Sequence, residues 1–173
     1  MKKSVEGEMQ GLCLVCGLCC NGVLFADVRL EKGDEPKKLK ALGLPVVAKA
    51  QGARFKQPCV ALEGCRCRVY SERPSYCRKF ECLLFKRVEE GEVGLRSAVE
   101  IVEKARTGVA KVEKLLAALG AENEHLPLRR RFQLQARRME EEGDVNDERA
   151  QVFSELTLAF HELSLLLKEE FYP

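Results

Sequence analysis

Cys13-Leu14-Val15-Cys16-Gly17-Leu18-Cys19-Cys20 puts four thiols within eight residues. Cys59, Cys65, Cys67, Cys77 and Cys82 follow, and the rest of the chain has no cysteine. Thiols so concentrated act together. Two thiols separated by two residues close on one ion with relaxed geometry, so C-x2-C is a common half-site for zinc and for iron–sulfur clusters. Here the spacing repeats as Cys13-x2-Cys16-x2-Cys19, and Gly17 permits the tight backbone path it needs. Cys20, directly beside Cys19, departs from the bacterial ferredoxin run. Adjacent side chains on extended backbone point opposite ways, so Cys19 and Cys20 either feed two centres or one stands behind the other. Soft sulfur suits zinc, copper(I) and iron–sulfur clusters alike, which leaves the metal open.

The alternative use of cysteine is the disulfide. Nine is an odd count, which fits a closed disulfide framework poorly. The start, Met1-Lys-Lys-Ser-Val-Glu-Gly-Glu-Met-Gln10, is polar and lacks the apolar core of a signal peptide. No apolar run is long enough for a membrane helix. The expectation is a cytoplasmic protein in a reducing compartment, where thiols bind metal rather than pair.

Charge divides the chain. Residues 1–87 carry 17 Lys+Arg against 9 Asp+Glu, and residues 88–173 carry 12 against 18. That asymmetry predicts a cysteine-cluster metal-binding domain over 1–87 and a helical region over 88–173. A basic surplus can mark a polyanion-binding face. The internal explanation is stronger, because Arg66, Arg68, Arg73, Arg78 and Lys79 are interleaved with the cysteines and metal-bound thiolates are negative. Neither nucleic acid nor a membrane is expected as a partner.

Outward from the first cluster, Asn21-Gly22 signals a turn, and Val23–Leu30 has strand composition. Pro36–Gly43 reads as a short helix with proline at its first position and Gly43 closing it. Leu44–Phe55 suggests another strand. Gly64 marks a turn and Cys67–Tyr70 a brief strand. Pro74 suits the first turn of a helix carrying Cys77, where dipole and amides favour thiolate. Cys82 then lies about 140° away on an ideal helix. Both thiols reach metal only if the helix breaks near Phe80-Glu81 or they serve different centres.

The second region predicts about three amphipathic helices. The first follows Val99, Val102, Val109, Val112, Leu115, Leu116 and Leu119 up to Gly120. Pro127 opens the second, which Gly143 closes. Asp144 or Asn146 caps the third, with Val152, Phe153, Leu156, Phe160, Leu163 and Leu167 as its stripe. Short connections suggest an antiparallel bundle. The fold class is therefore α+β: a small metal-organised domain with a helical bundle extension.

The cysteine region resembles the YkgJ-like family with the CxxCxxCC domain, described as zinc- or iron-chelating. The matching residues are Cys13, Cys16, Gly17, Cys19 and Cys20, then Pro58-Cys59 and Cys67-Arg-Val-Tyr70, then Arg73-Pro74, Cys77-Arg78, Phe80 and Cys82. The resemblance covers about residues 10–87. It implies eight metal-ligating cysteines, namely Cys13, Cys16, Cys19, Cys20, Cys59, Cys67, Cys77 and Cys82, with Cys65 as the extra one. It also implies that Arg73 and Arg78 stand beside the cofactor and donate hydrogen bonds to its sulfurs. The same cysteine pattern occurs in flagellin lysine methylases, larger proteins similar only in this part.

Catalytic residues are not evident: there is no G-x-S-x-G, P-loop, G-x-G-x-x-G or H-E-x-x-H. His125 and His161 lack ligand partners at useful spacing. Tyr70 and Phe80 read as packing around the site. Arg129-Arg130-Arg131 with Arg137-Arg138 reads as a solvated helix face, and a protein partner docking on the helical region is the remaining use for it. The functional expectation is a thiolate protein chelating zinc or iron without catalysis. The alternative is an iron–sulfur protein in electron transfer or a relative of a protein-modifying enzyme.

Overall fold

The computed structural model describes residues 11–143 and 146–172. The polar lead-in over 1–10 and the candidate cap Asp144 lie outside them. The architecture is α+β, a cysteine-rich N-terminal part followed by helices. A helical turn over 11–16 leads into turns through 22. Strand β1 (Asp27–Arg29) pairs antiparallel with β2 (Arg54–Lys56), Val28 opposite Phe55. Between them lies helix α1 (Pro36–Ala41). Strands β3 (Leu62–Glu63) and β4 (Arg66–Cys67) form a second antiparallel pair around the tight turn at Gly64-Cys65. A 3-10 turn at Tyr70–Glu72 precedes α2 (Ser75–Lys79) and α3 (Leu83–Glu89). The long helices are α4 (Leu95–Ala118), α5 (Leu128–Glu142) and α6 (Asp147–Glu170).

Strand content is lower than the composition of 23–30 and 44–55 suggests. Backbone groups in the first stretch are spent on turns: the Leu24 amide donates to Leu18 O and the Val23 amide to Asn21 Oδ1. In the second, Val47 meets Arg54 in an isolated bridge, and only Arg54–Lys56 continues as strand. Past Cys67 the chain turns into a 3-10 helix rather than extending to Tyr70. Helix α3, which begins before residue 88, has too few residues for a periodic signal to stand out.

The long helices follow their stripes. Ala98, Val102, Ala105, Val109, Val112 and Leu116 of α4 are buried, as are Leu156, Ala159, Leu163 and Leu167 of α6. Gly120 ends α4 with the Ala121 amide donating to Leu116 O and its own amide to Ala117 O, a Schellman arrangement. Asn146 caps α6 by accepting from the Arg149 amide at 2.9 Å.

The directions differ from a simple antiparallel bundle. Helix α6 runs opposite to α4: Lys111 pairs with Glu162, while Glu170 at the far end pairs with Arg87, which precedes α4. Helix α5 runs alongside α4, with Arg131 on Glu113 and Arg138 beside Gly120. The connection over 119–127 is long enough to bring the chain back before α5 begins. The tight hairpin rule therefore applies only to α5 and α6, where Phe132 stacks on Phe160 at 4.1 Å.

One large core joins these helices to the first cysteine segment, for Leu12, Leu18, Leu24 and Leu84 are buried with Val102, Leu116, Leu156 and Phe171. A smaller core of Val28, Leu39, Leu44, Val46, Phe55, Ala61 and Val69 lies beneath the strands. Among the described residues, no helix is long and apolar enough to cross a membrane.

Candidate metal centre

The first cysteine segment is held from the helices. Arg106 Nη1 donates to Val15 O at 2.9 Å, the Leu128 amide to Gly22 O at 3.0 Å, and Tyr172 Oη to Leu24 O at 3.2 Å. Two glycines with positive φ make its path possible. A Cβ on Gly17 (φ 70°) would stand 3.3 Å from Cys65 Cα, and one on Gly22 (φ 82°) would meet Pro127 and Pro58 at 3.2 and 3.3 Å. The Cys59 amide donates to Cys20 O at 2.7 Å, tying the two cysteine groups together.

Cys77 sits on α2, which ends at Lys79; Phe80 is already extended. The helix breaks between the two thiols, and Cys82 immediately precedes α3. Asp34, from a turn far away in sequence, positions α2: its Oδ1 accepts from the Ser75 amide and hydroxyl, both at 2.8 Å, and its Oδ2 from the Glu31 amide. Against the desolvation of partial burial, those hydrogen bonds hold the Asp34 carboxyl below its usual value.

All nine cysteines are free thiols, and all nine line one cavity of about 130 Å³. Phe25, Tyr76 and Phe80 form part of its wall, with Phe25 edge-on to Phe80 at 4.7 Å and to Tyr76 at 5.7 Å. Burial pushes the thiols of Cys16, Cys20 and Cys77 up to about 12 and that of Cys19 well above its ordinary value. Desolvation likewise lifts Cys13, at the rim, to about 11 and raises Cys59 and Cys82. Such thiols are neutral at physiological pH until a cation replaces the proton.

Beyond desolvation, thiolate charges felt between neighbours sort eight of the nine into two groups. Cys82 raises Cys13, Cys16 and Cys19, and Cys13 raises both Cys16 and Cys19. Cys59 and Cys67 raise Cys20, and all three raise Cys77. The groups are in contact with each other: Cys20 raises Cys19, and Cys13 raises Cys20. Cys65 raises Cys16. Among the described residues, no three His, Cys, Asp or Glu side chains close around one point as they lie here. The thiols are gathered at the cavity, not clasped.

The two arginines of the sequence pattern have different surroundings. Arg73 lines the cavity and lowers Cys13, Cys20 and Cys77 against their desolvation, so it faces both groups. It is fixed there by Tyr70, whose ring lies 3.6 Å from the guanidinium carbon and whose carbonyl accepts from Nε at 3.0 Å. Arg78 is absent from the cavity wall; it reaches Ser75 Oγ at 3.3 Å. Gln57, which sequence reading passes over, is buried in the wall, and its Oε1 has no hydrogen-bond partner among the described residues. Asp34 and Gln57 carry no sequence signal beyond a polar residue near a turn and one preceding Pro58-Cys59.

This donor set fits a thiophilic ion, since soft sulfurs stand free, desolvated and lining a single cavity. An α+β protein so arranged has the donor chemistry of a thiolate chelator. The family model described as "CxxCxxCC: Putative zinc- or iron-chelating domain" matches residues 12–104, and the chain belongs to that family. No curated protein and no solved structure matches the chain.

Proposed function

We propose that the protein is a non-catalytic thiolate metalloprotein with two four-sulfur sites that hold zinc. One site uses Cys13, Cys16, Cys19 and Cys82, the other Cys20, Cys59, Cys67 and Cys77, and Cys65 stays outside both. The observation that carries this reading is the convergence of all nine thiols on one cavity, with the Cys59 amide bonded to Cys20 O; the division into two fours follows which thiols most affect one another's ionisation. Four sulfurs per ion are the coordination that closed structural zinc sites take. Two divalent ions leave eight thiolates with four surplus negative charges, and Arg73 is placed to offset part of them between the sites. Bound metal would supply the cross-linking that the small core beneath the strands lacks. The reading places the protein in a reducing, cytoplasmic setting.

Elemental analysis of protein purified without oxygen tests it. The expected result is a colourless protein with two zinc ions per chain. Cys82→Ser should lose one ion and Cys67→Ser the other, each variant keeping its remaining metal. A brown protein with broad visible absorption and acid-labile sulfide would replace zinc with an iron–sulfur cluster. Loss of both ions from either single variant would overturn the two-site division.

A further inference from the structure

On the two-site reading, from which this inference follows, eight thiols are committed to metal and Cys65 is left over. It does not stand apart from them. Cys65 occupies the turn between β3 and β4, partly exposed itself and flanked by the exposed Gly64 and Arg66. That turn packs on the loop of the first cysteine segment: a Cβ on Gly17 would meet Cys65 Cα, Cβ and Sγ at 3.3, 3.5 and 3.6 Å. A side chain at 17 would fill this space, so the missing Cβ is what lets the ninth thiol approach. Cys16 is the neighbouring residue on that loop, and the Leu18 amide donates to its sulfur, which folds the thiol back over Gly17.

A thiol with no metal to hold, within reach of solvent and packed beside a ligand, is the one that an oxidant meets first. We infer that Cys65 is the redox partner of Cys16, and that a disulfide between them empties the first site while the second keeps its ion. The oxidant is a peroxide. The Cys65 sulfur attacks one peroxide oxygen; an S–O bond forms, the O–O bond breaks, and the departing hydroxide takes the thiol proton as water. The Cys16 thiolate then attacks the sulfenic sulfur; an S–S bond forms, the S–O bond breaks and hydroxide leaves. The two sulfurs together lose two electrons and the peroxide gains them. Cys16 then has no thiolate to offer, and the three sulfurs that remain are one short of a closed site.

The test uses the full-length protein, loaded without oxygen. Its zinc is counted first, so a failure of the two-site reading shows before any oxidant is added. One equivalent of hydrogen peroxide follows, with a chromophoric zinc chelator present. The expected result is release of one zinc ion per chain, loss of two titratable thiols and a Cys16–Cys65 linkage in the peptide map, all reversed by a phosphine reductant and added zinc. Cys65→Ser should still hold both ions and should lose the peroxide-driven release. The same linkage should form in metal-free protein, which judges the pair separately from the zinc count. A map dominated by any other pair overturns the inference, as does release unchanged in Cys65→Ser. If that variant fails to fold, the wild-type map decides.

Discussion

The strand-and-cysteine part and the long helices stabilise themselves by different means. Between residues 26 and 82 the strands have two or three residues each and the separate core has seven buried residues. Helices α4 and α6 each span 24 residues and interlock small side chains, Ala98 and Ala105 being fully buried and Gly108 lying against Leu163. On the proposed reading one part depends on metal-bound sulfur to cross-link it; the other closes by burial. The segment 11–24 belongs to both, since its leucines enter the helical core while its thiols face the cavity.

Metal removal separates the two most sharply. Structural zinc is worth about 10–16 kcal/mol in small metal-organised peptides, so chelation should abolish amide-exchange protection at Val28 and Phe55 while the α4 and α6 amides stay protected. Equal protection with and without metal would erase the contrast. Core truncation works in the other direction. Leu116→Ala or Leu156→Ala should cost about 2–5 kcal/mol in chemical unfolding with metal content unchanged.

Finer changes probe the site itself. Arg73→Ala should weaken metal binding roughly 10–100-fold in competition with a chromophoric chelator, whereas Arg78→Ala, away from the cavity wall, should leave it unaltered. Equal losses would remove the distinction between the two arginines. Asp34→Ala should cost about 1 kcal/mol, as for a lost helix cap. The Asp34 carboxyl is held below its ordinary value in the folded protein, so its stabilisation is full above that ordinary value and is lost as pH falls through the lower folded one. An acid-unfolding curve of Asp34→Asn should lack that contribution; a curve identical to wild type would remove Asp34 from the account.

Much of the helical part could be read directly, because an amphipathic stripe, a proline start and a glycine stop are local signals. Gly120, Pro127, Gly143 and Asn146 each sit at the helix end that their chemistry favours. The short strands were harder, since β composition at Val23–Leu30 yields to turns that the cysteine segment requires. The cysteine pattern named the chemistry of the site. It did not name Gln57 or Asp34, whose roles depend on neighbours supplied by the fold.

By itself the sequence determined the thiol inventory, the family, the helix ends at Gly120, Pro127, Gly143 and Asn146, and the α+β character, all of which rest on residue type and near-neighbour spacing. Only the tertiary structure decided which thiols are neighbours, that Arg73 rather than Arg78 faces them, that α5 runs alongside α4, and that Arg131 is buried. Those are matters of distance between residues remote in the chain, set by loop paths and by packing across elements, and local spacing does not encode them.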